Sequence, residues 1–123
     1  MPLDVLIVDD SAAIRKILQR VLVQAQLPLG KVHEANDGRE ALQKLLAQPV
    51  GLVLSDINMP NMDGLELLSA LKALDAYKNV PILMITTEGS QEKVMQALQL
   101  GAAGYVRKPF TPEQIKEKLV GLV

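Results

Sequence analysis

Five polar residues stand directly after apolar stretches of this sequence and could act together: Asp9, Asp10, Asp56, Thr86 and Lys108. Carboxylates held about 5 Å apart repel one another by roughly 3 kcal/mol per pair at an effective dielectric of about 20, so a fold that gathers them needs a cation. Three carboxylates and one ammonium sum to a charge of −2 in this set. The set therefore predicts a site for a divalent cation.

The types of ligand predict which cation this is. Oxygen ligands, zero cysteines in the chain and no histidine near the set select a hard ion. Few protein ligands, with space left for water and a phosphate, favour Mg²⁺ over a dedicated Ca²⁺ cage. The regular ligand spacing of an EF-hand is not found in these loops.

A metal ion, a carboxylate, a lysine and a hydroxyl together suit phosphoryl transfer onto the Asp56 oxygen. Mg²⁺ and Lys108 would hold the phosphoryl oxygens, and Thr86 would donate a hydrogen bond to the added negative charge. Phosphorylation would then draw the loop after the fourth strand toward the site and displace the helix that starts at Ser90.

The set can converge only if the apolar stretches before it are neighbouring strands. Continuous runs of Val, Ile and Leu are typical of strands buried on both faces, whereas 31–35 is weaker and charged and predicts an edge strand. The strands are predicted at 5–8, 31–35, 52–55, 82–85 and 104–107.

Segments with helical periodicity follow these strands. Pro28 and Gly30 are predicted to close the first helix, and Asn79 and Pro81 the third. The predicted caps are Asp37, Asp63, Ser90 and Thr111, with capping boxes at 37–40, 63–66 and 111–114. The predicted buried positions are Ile14, Ile17, Leu18, Val21, Leu22 and Ala25; Ala41, Leu42, Leu45 and Leu46; Leu65, Leu68, Leu71 and Leu74; Val94, Ala97, Leu98 and Gly101; and Ile115, Leu119 and Leu122.

Five strands alternating with five helices across short connections require right-handed crossovers onto a parallel sheet with helices on both faces. The fold class predicted is therefore a doubly wound α/β domain. In such sheets the binding crevice lies beyond the carboxyl ends of the strands, which is where the five polar residues fall.

Length and composition limit the class of protein. A chain of 123 residues with 49% hydrophobic and 22% charged residues predicts one domain over residues 1–123. A net charge of −1 argues against nucleic acid or a membrane surface as a partner, and no apolar run reaches the about 20 residues of a membrane span. Zero cysteines and no leader pattern after Met1 predict a cytoplasmic protein, and a monomer is expected.

Short motifs throughout the chain carry a family resemblance. They are Val8-Asp9-Asp10, Ser55-Asp56, Met59-Pro60-Asn61-Met62-Asp63-Gly64, Thr86-Thr87-Glu88, Gly101-Ala102 and Gly104-Tyr105-Val106-Arg107-Lys108-Pro109-Phe110. As a set, they make the chain similar to the receiver domain of two-component response regulators, and most of all to stand-alone members of the chemotaxis type. The resemblance implies a flavodoxin-like sheet with strand order 2-1-3-4-5.

The resemblance also implies roles for individual residues. It implies that Asp56 accepts phosphate from the histidine of a kinase or phosphotransfer protein, and that Lys108 contacts the phosphoryl group. It implies Mg²⁺ ligation by Asp10, Asp56 and the Asn58 main-chain carbonyl, with Asp9 assisting through water. Further implied roles are a switch formed by Thr86 and Tyr105, tuning of phosphoryl loss by Asn58 and Glu88, and a cis peptide at Lys108-Pro109.

The output of such a domain would be a change in the surface formed by the fourth helix, fifth strand and fifth helix, which would bind a motor switch or another effector. Because no output domain follows Val123, this effector is expected to be a separate protein unless the chain is cut from a longer regulator. Ile57 stands where the best-known chemotaxis member has Trp, and Arg107 adds charge beside the output surface. These two departures leave the output partner open.

Three other functions compete with this interpretation. A phosphatase with an Asp nucleophile needs a general acid near it, and in the haloacid-dehalogenase-like pattern this is an Asp two residues on, where the chain has Asn58. A flavin or nucleotide site needs a glycine-rich or cationic loop, whereas the loop at 9–11 is anionic. The intact acidic and lysine set argues against an interaction module that works without phosphate. The chain is thus expected not to be an enzyme, beyond assisting its own phosphotransfer and slow dephosphorylation.

Simpler structural roles are open for several of these residues. Asp9 and Asp10 could cap the first helix, Thr86 could merely end a strand and Lys108 could point into solvent. Tyr105 could pack at the sheet edge. The remaining residues of note have structural interpretations, namely His33 as a solvated residue and Met59 and Met62 as loop packing.

Overall fold

The sheet consists of five parallel strands in the order β2-β1-β3-β4-β5, as the resemblance implies. The structure is a computed structural model that describes residues 2–87 and 91–122. Its strands are β1 Leu3–Val8, β2 Leu29–Ala35, β3 Leu52–Asp56, β4 Ile82–Thr87 and β5 Gly104–Lys108. Its helices are α1 Ala12–Gln24, α2 Gly38–Ala47, α3 Gly64–Lys72, α4 Gln91–Gln99 and α5 Pro112–Val120. The predicted doubly wound α/β fold is confirmed.

Each face of the sheet packs against its own group of helices. Alternate strand residues point to opposite faces, so Val5 and Ile7 join one apolar cluster while Leu6 and Val8 join the other. Helices α1 and α5 cover the first cluster through Leu18, Leu22 and Ile115. The second cluster is covered by α2, α3 and α4. Burial on both faces explains why the strands have continuous apolar sequences.

The helix starts follow the predicted cap residues. Asp63 and Thr111 each form a complete capping box, as predicted, and Pro112 opens α5. Asp37 caps α2 by accepting from the Glu40 N–H, but the Glu40 carboxylate contacts Asn36 instead of closing the predicted box. The predicted cap of α4, Ser90, lies outside the described residues.

Several boundaries differ from the prediction. Helix α1 ends at Gln24, and Gly30 belongs to β2 instead of closing the helix. Helix α3 ends at Lys72 and is followed by a 3₁₀ turn at Asp75–Tyr77, which buries Tyr77. The Tyr77 hydroxyl donates to the Leu45 carbonyl, a long-range partner that the local pattern cannot reveal.

The burial predicted for three leucine and isoleucine residues is wrong. Ile17, Leu46 and Leu98 are 43%, 66% and 41% exposed. Each is next in sequence to a buried residue, namely Leu18, Leu45 or Ala97, and one step along a helix rotates the side chain by about 100°. Gly101, predicted to face inward, is exposed as well. No helix within residues 2–87 and 91–122 is long and apolar enough to cross a membrane.

Candidate functional site

The three aspartates of the predicted set lie together at the carboxyl edge of the sheet. Val8 pairs with Ser55, so Asp9 and Asp56 follow at adjacent positions on β1 and β3. Carboxylate oxygens of Asp9, Asp10 and Asp56 all lie within 4.8 Å of one another. Asp9 and Asp56 are buried, at 1% and 5% exposure, whereas Asp10 faces solvent. The cluster is thus open to solvent on the Asp10 side.

Lys108 brings the positive charge to this cluster from β5. Its ammonium lies 2.9 Å from Asp9 Oδ2 and 3.2 Å from Asp56 Oδ2. Burial alone would lower the pKa of Lys108, but the hydrogen bond to Asp9 and the charges of Asp56 and Asp9 together raise it above its usual value. Lys108 therefore bridges two carboxylates as an ammonium, and its peptide bond to Pro109 is cis, as the resemblance implies.

Asp56 sits in a tightly built turn between β3 and α3. Its Oδ1 accepts the Ile57 N–H at 2.8 Å, and the Gly64 N–H donates to the Ile57 carbonyl at 2.8 Å. A Cβ on Gly64 would lie only 2.2 Å from the Asp56 carbonyl oxygen, so only glycine permits this approach. Burial is the largest influence on the pKa of Asp56 and raises it, although the nearby Lys108 opposes this rise.

The loop that carries Asp9 and Asp10 is held from both sides. Asp9 Oδ1 accepts the Ser11 N–H at 2.9 Å, and Ser11, not either aspartate, is the cap of α1. Arg15 donates to the Asp9 carbonyl at 2.6 Å and to Glu34 Oε1 at 2.9 Å. Glu34 lies on β2, 19 positions along the chain from Arg15, so no local sequence pattern reveals this brace.

The two predicted switch residues lie on the neighbouring strands β4 and β5. Thr86 is 1% exposed and follows Ile85, the partner of Asp56 on β4. Its hydroxyl donates to the Thr87 carbonyl at 3.3 Å. Tyr105 is half-buried on β5, and the Lys118 ammonium lies 5.8 Å from its ring centroid. Thr86 therefore lies on the strand beside Asp56, whereas Tyr105 pairs with Met84 and lies two strands away from Asp56. The role of both residues in switching stays a prediction.

Asn58 has a partner that the sequence did not reveal. The Lys93 ammonium of α4 donates to Asn58 Oδ1 at 2.6 Å. The two residues are 35 positions apart, and no local pattern connects them. Glu88, the other residue predicted to tune phosphoryl loss, lies outside the described residues.

The other residues singled out in the sequence differ in their burial. Ile57 is completely buried in the cluster covered by α2, α3 and α4, and Met59 and Met62 pack against that cluster as predicted. His33 is half-buried on the edge strand β2. Arg107 is exposed on β5.

Comparison with known proteins identifies the family of this chain. Residues 5–120 match the family described as the response regulator receiver domain. The chain belongs to this family. It is 44% identical over 115 residues to the chemotaxis protein CheY1 of Helicobacter pylori strain J99. This match covers 93% of this chain and 91% of that protein. It is 41% identical over 115 residues to the chemotaxis protein CheY-3 of Vibrio cholerae. This match covers 94% of this chain and 87% of that protein.

A solved structure agrees with this assignment. The chemotaxis response regulator CheY4 of Vibrio cholerae superposes on this receiver domain with a TM-score of 0.88 at 40% identity, and the match covers 100% of both chains. The protein is thus a CheY-like receiver domain of phosphorylation-activated two-component signalling. Receiver domains in general depend on Mg²⁺ and exchange signals with histidine kinases and downstream effectors.

The acidic cluster of the receiver domain fits a hard divalent cation. Its donors are carboxylate oxygens, and Lys108 offsets only one of three negative charges, which leaves −2. The exposed position of Asp10 lets an ion reach the cluster from solvent. Oxygen donors with a net negative charge are what Mg²⁺ prefers, so the residues present could hold it.

We expect Asp10→Asn to raise the melting temperature of the metal-free receiver domain and to weaken its binding of Mg²⁺ by at least about tenfold. The substitution removes one of three mutually repelling carboxylates, and it also removes one donor from the cluster. Thermal unfolding in EDTA and Mg²⁺ titration followed by NMR measure the two effects.

Asp75→Asn is the matched control for this variant, because the Asp75 side chain is fully exposed on the 3₁₀ turn, away from the cluster. It should change neither quantity. A lower melting temperature of Asp10→Asn in EDTA would contradict the repulsion argument.

Proposed function

We propose that Asp56 accepts a phosphoryl group from a histidine kinase or phosphotransfer protein in a Mg²⁺-dependent reaction. The observation that supports this most is the position of the Lys108 ammonium, within 3.2 Å of Asp56 Oδ2 and 2.9 Å of Asp9 Oδ2. An ammonium beside a buried carboxylate is suited to contact the oxygens of a phosphoryl group that arrives there. Similarity to CheY1 and CheY-3, both named chemotaxis proteins, supports a chemotaxis pathway.

The proposed transfer is an in-line displacement at phosphorus. An ionised Asp56 oxygen attacks the phosphorus atom and forms a new O–P bond, while the P–N bond to the donor imidazole breaks and its electron pair returns to the ring nitrogen. Burial raises the pKa of Asp56, which makes its carboxylate a stronger nucleophile once it is ionised. Lys108 would move from the Asp56 oxygen to a phosphoryl oxygen and neutralise part of its charge.

Asp10, Asp56 and the Asn58 main-chain carbonyl would hold Mg²⁺, and Asp9 would assist through water. When bound, the ion supplies positive charge that stabilises the equatorial oxygens of the transferred phosphoryl group. Asp9 has a second task that needs no metal, because its Oδ2 orients the Lys108 ammonium. The buried Asp9 thereby keeps the lysine at the site before the donor arrives.

The proposed response to phosphorylation starts at Thr86. Its hydroxyl is bound only weakly, at 3.3 Å, to the Thr87 carbonyl, so it can turn to a phosphoryl oxygen on Asp56. Thr86 and Tyr105 would then change position together and alter the surface of α4, β5 and α5. This surface exposes Met95 at 56% and Leu98 at 41%, which are suitable anchors for a downstream protein.

The domain is proposed to be a signalling switch and not an enzyme that turns over a separate substrate. Asn58, two residues after Asp56, cannot serve as the general acid of an aspartate-dependent phosphatase. An acyl phosphate on Asp56 would therefore persist long enough to signal. Zero cysteines and the small net charge support a cytoplasmic, monomeric switch that binds no nucleic acid.

The test is phosphorylation by acetyl phosphate with Mg²⁺ and with EDTA, followed by intact-mass spectrometry. We expect one added phosphoryl group that appears with Mg²⁺, is lost in alkali as acyl phosphates are, and is strongly reduced by EDTA. Equal labelling with EDTA would contradict the Mg²⁺-dependent part of the proposal. A label that survives alkali would not be an acyl phosphate and would contradict Asp56 as the acceptor.

A further inference from the structure

A hydrogen bond joins α4 to the loop that follows the proposed phosphoacceptor. Lys93, in α4, donates from its ammonium to Asn58 Oδ1 at 2.6 Å. Its donor is charged, and charge-assisted hydrogen bonds are roughly twice as strong as those between neutral groups. Asn58 stands two residues after Asp56, so the bond reaches the immediate surroundings of the site.

The bond fixes the orientation of the Asn58 carboxamide. An ammonium only donates, so it must face the carbonyl oxygen of the amide and not its nitrogen. The side-chain oxygen of Asn58 is therefore occupied by α4, although both side chains are exposed to solvent. The oxygen keeps a second lone pair, but the bond to Lys93 fixes the direction in which that oxygen points.

We propose that Lys93 is a positioning residue that slows loss of the phosphoryl group from Asp56 by holding the Asn58 carboxamide. This inference rests on the proposed function of Asp56. With Lys93 in place, the Asn58 oxygen is bound to the ammonium and does not orient a water molecule toward phosphorus. When Lys93 is removed, the carboxamide is free to rotate and to accept a hydrogen bond from the attacking water.

The step that Lys93 restrains is hydrolysis of the acyl phosphate. The water oxygen forms a bond to phosphorus, and the P–O bond to the Asp56 carboxyl group breaks with its electron pair left on the carboxylate. One water proton passes to solvent, and the products are the Asp56 carboxylate and inorganic phosphate. Asn58 would assist by accepting a hydrogen bond from that water, without taking its proton.

A direct effect of the Lys93 charge on the phosphoryl group predicts a different result. A through-space effect would not need the Asn58 side chain, whereas an effect through the carboxamide disappears without it. A double-mutant cycle on Lys93 and Asn58 separates the two.

The experiment measures the rate constant of phosphoryl loss after labelling with radioactive acetyl phosphate and Mg²⁺ and removal of the donor. A radiolabel is used because the chain has no Trp to report the reaction by fluorescence. The proteins compared are the wild type, Lys93→Met, Lys93→Arg, Asn58→Ala and the Lys93→Met/Asn58→Ala double variant. Lys116→Met, which removes one charge from an exposed position of α5, is the control.

We expect Lys93→Met to lose phosphate about threefold faster than the wild type, as removal of one exposed charge-assisted bond would predict. Lys93→Arg, which retains a cationic donor, and Lys116→Met should stay close to the wild type. In the Asn58→Ala background, Lys93→Met should change the rate by less than about 1.5-fold. An unchanged rate in Lys93→Met, or an equal acceleration in both backgrounds, would overturn the inference while leaving Asp56 as the acceptor.

A second measurement does not depend on phosphorylation. In the metal-free wild type, the Asn58 side-chain amide signals in an ¹H–¹⁵N NMR spectrum should shift on Lys93→Met and not on Lys116→Met. Unshifted Asn58 signals would show that the bond is not formed in solution and would overturn the inference. A wild-type protein that takes up no label would overturn the proposed function, and the inference with it.

Discussion

Asp56→Asn is expected to abolish phosphorylation by acetyl phosphate in the presence of Mg²⁺, with a loss of roughly a thousandfold or more. The amide has nearly the shape of the carboxylate but lacks its charge, and its oxygen is a poor nucleophile toward phosphorus. The hydrogen bond from the Ile57 N–H to the side-chain oxygen can be retained, so the turn after β3 should keep its form. Incorporation of radioactive phosphate into an acyl linkage measures the effect.

The expected loss must come from the site and not from unfolding. Removing one carboxylate from a cluster within 4.8 Å relieves repulsion, so the metal-free variant should melt no lower than the wild type. Asp75→Asn makes the same chemical change at a fully exposed position and should be phosphorylated normally. A stable acyl phosphate on the Asp56→Asn protein would refute Asp56 as the acceptor.

Gly64→Ala is expected to lower the free energy of unfolding by about 3 kcal/mol, because the new methyl group has no room. Its Cβ would lie 2.2 Å from the Asp56 carbonyl oxygen and 2.9 Å from the Ile57 Cα. Both are backbone atoms that cannot rotate away, so the turn carrying Asp56 must shift. Urea unfolding measures the loss of stability, and phosphorylation by acetyl phosphate should become slower because Asp56 moves relative to Lys108.

Gly121→Ala is the matched control for this prediction. Gly121 caps the end of α5 with a helical backbone, at φ −84° and ψ −9°, and a Cβ there would meet nothing within 4 Å. The same substitution should leave stability unchanged or raise it by about 0.5 kcal/mol, through a less flexible unfolded chain. Equal unfolding free energies for the Gly64 and Gly121 variants would show that the turn accommodates the methyl group without strain.

The errors in the predicted fold have a common physical cause. Ile17, Leu46 and Leu98 are apolar and close to the buried stripes of their helices, so periodicity places them inside. Whether such a borderline position is covered depends on which neighbour packs beside the helix, and the structure leaves these three side chains at 41–66% exposure. The early end of α3 is similar, since the 3₁₀ turn that follows it is stabilised by Tyr77 reaching Leu45.

The sequence by itself determined the alternation of strands and helices, most of the caps, and the residues at the strand ends that could do chemistry. These features are local: a strand or helix repeats its apolar positions over a few residues, and its end is marked by a cap or a turn. The strand order came from the family resemblance, because periodicity says nothing about which strands are neighbours.

Only the tertiary structure decided which groups touch at the site. Lys108 reaches Asp9 across 99 positions of the chain, and Lys93 reaches Asn58 across 35. Gly64 is needed because the Asp56 backbone passes against it, a contact that depends on how α3 docks. Such contacts depend on strand order, register and helix docking, which are set by packing of the whole chain and not by residues near each contact.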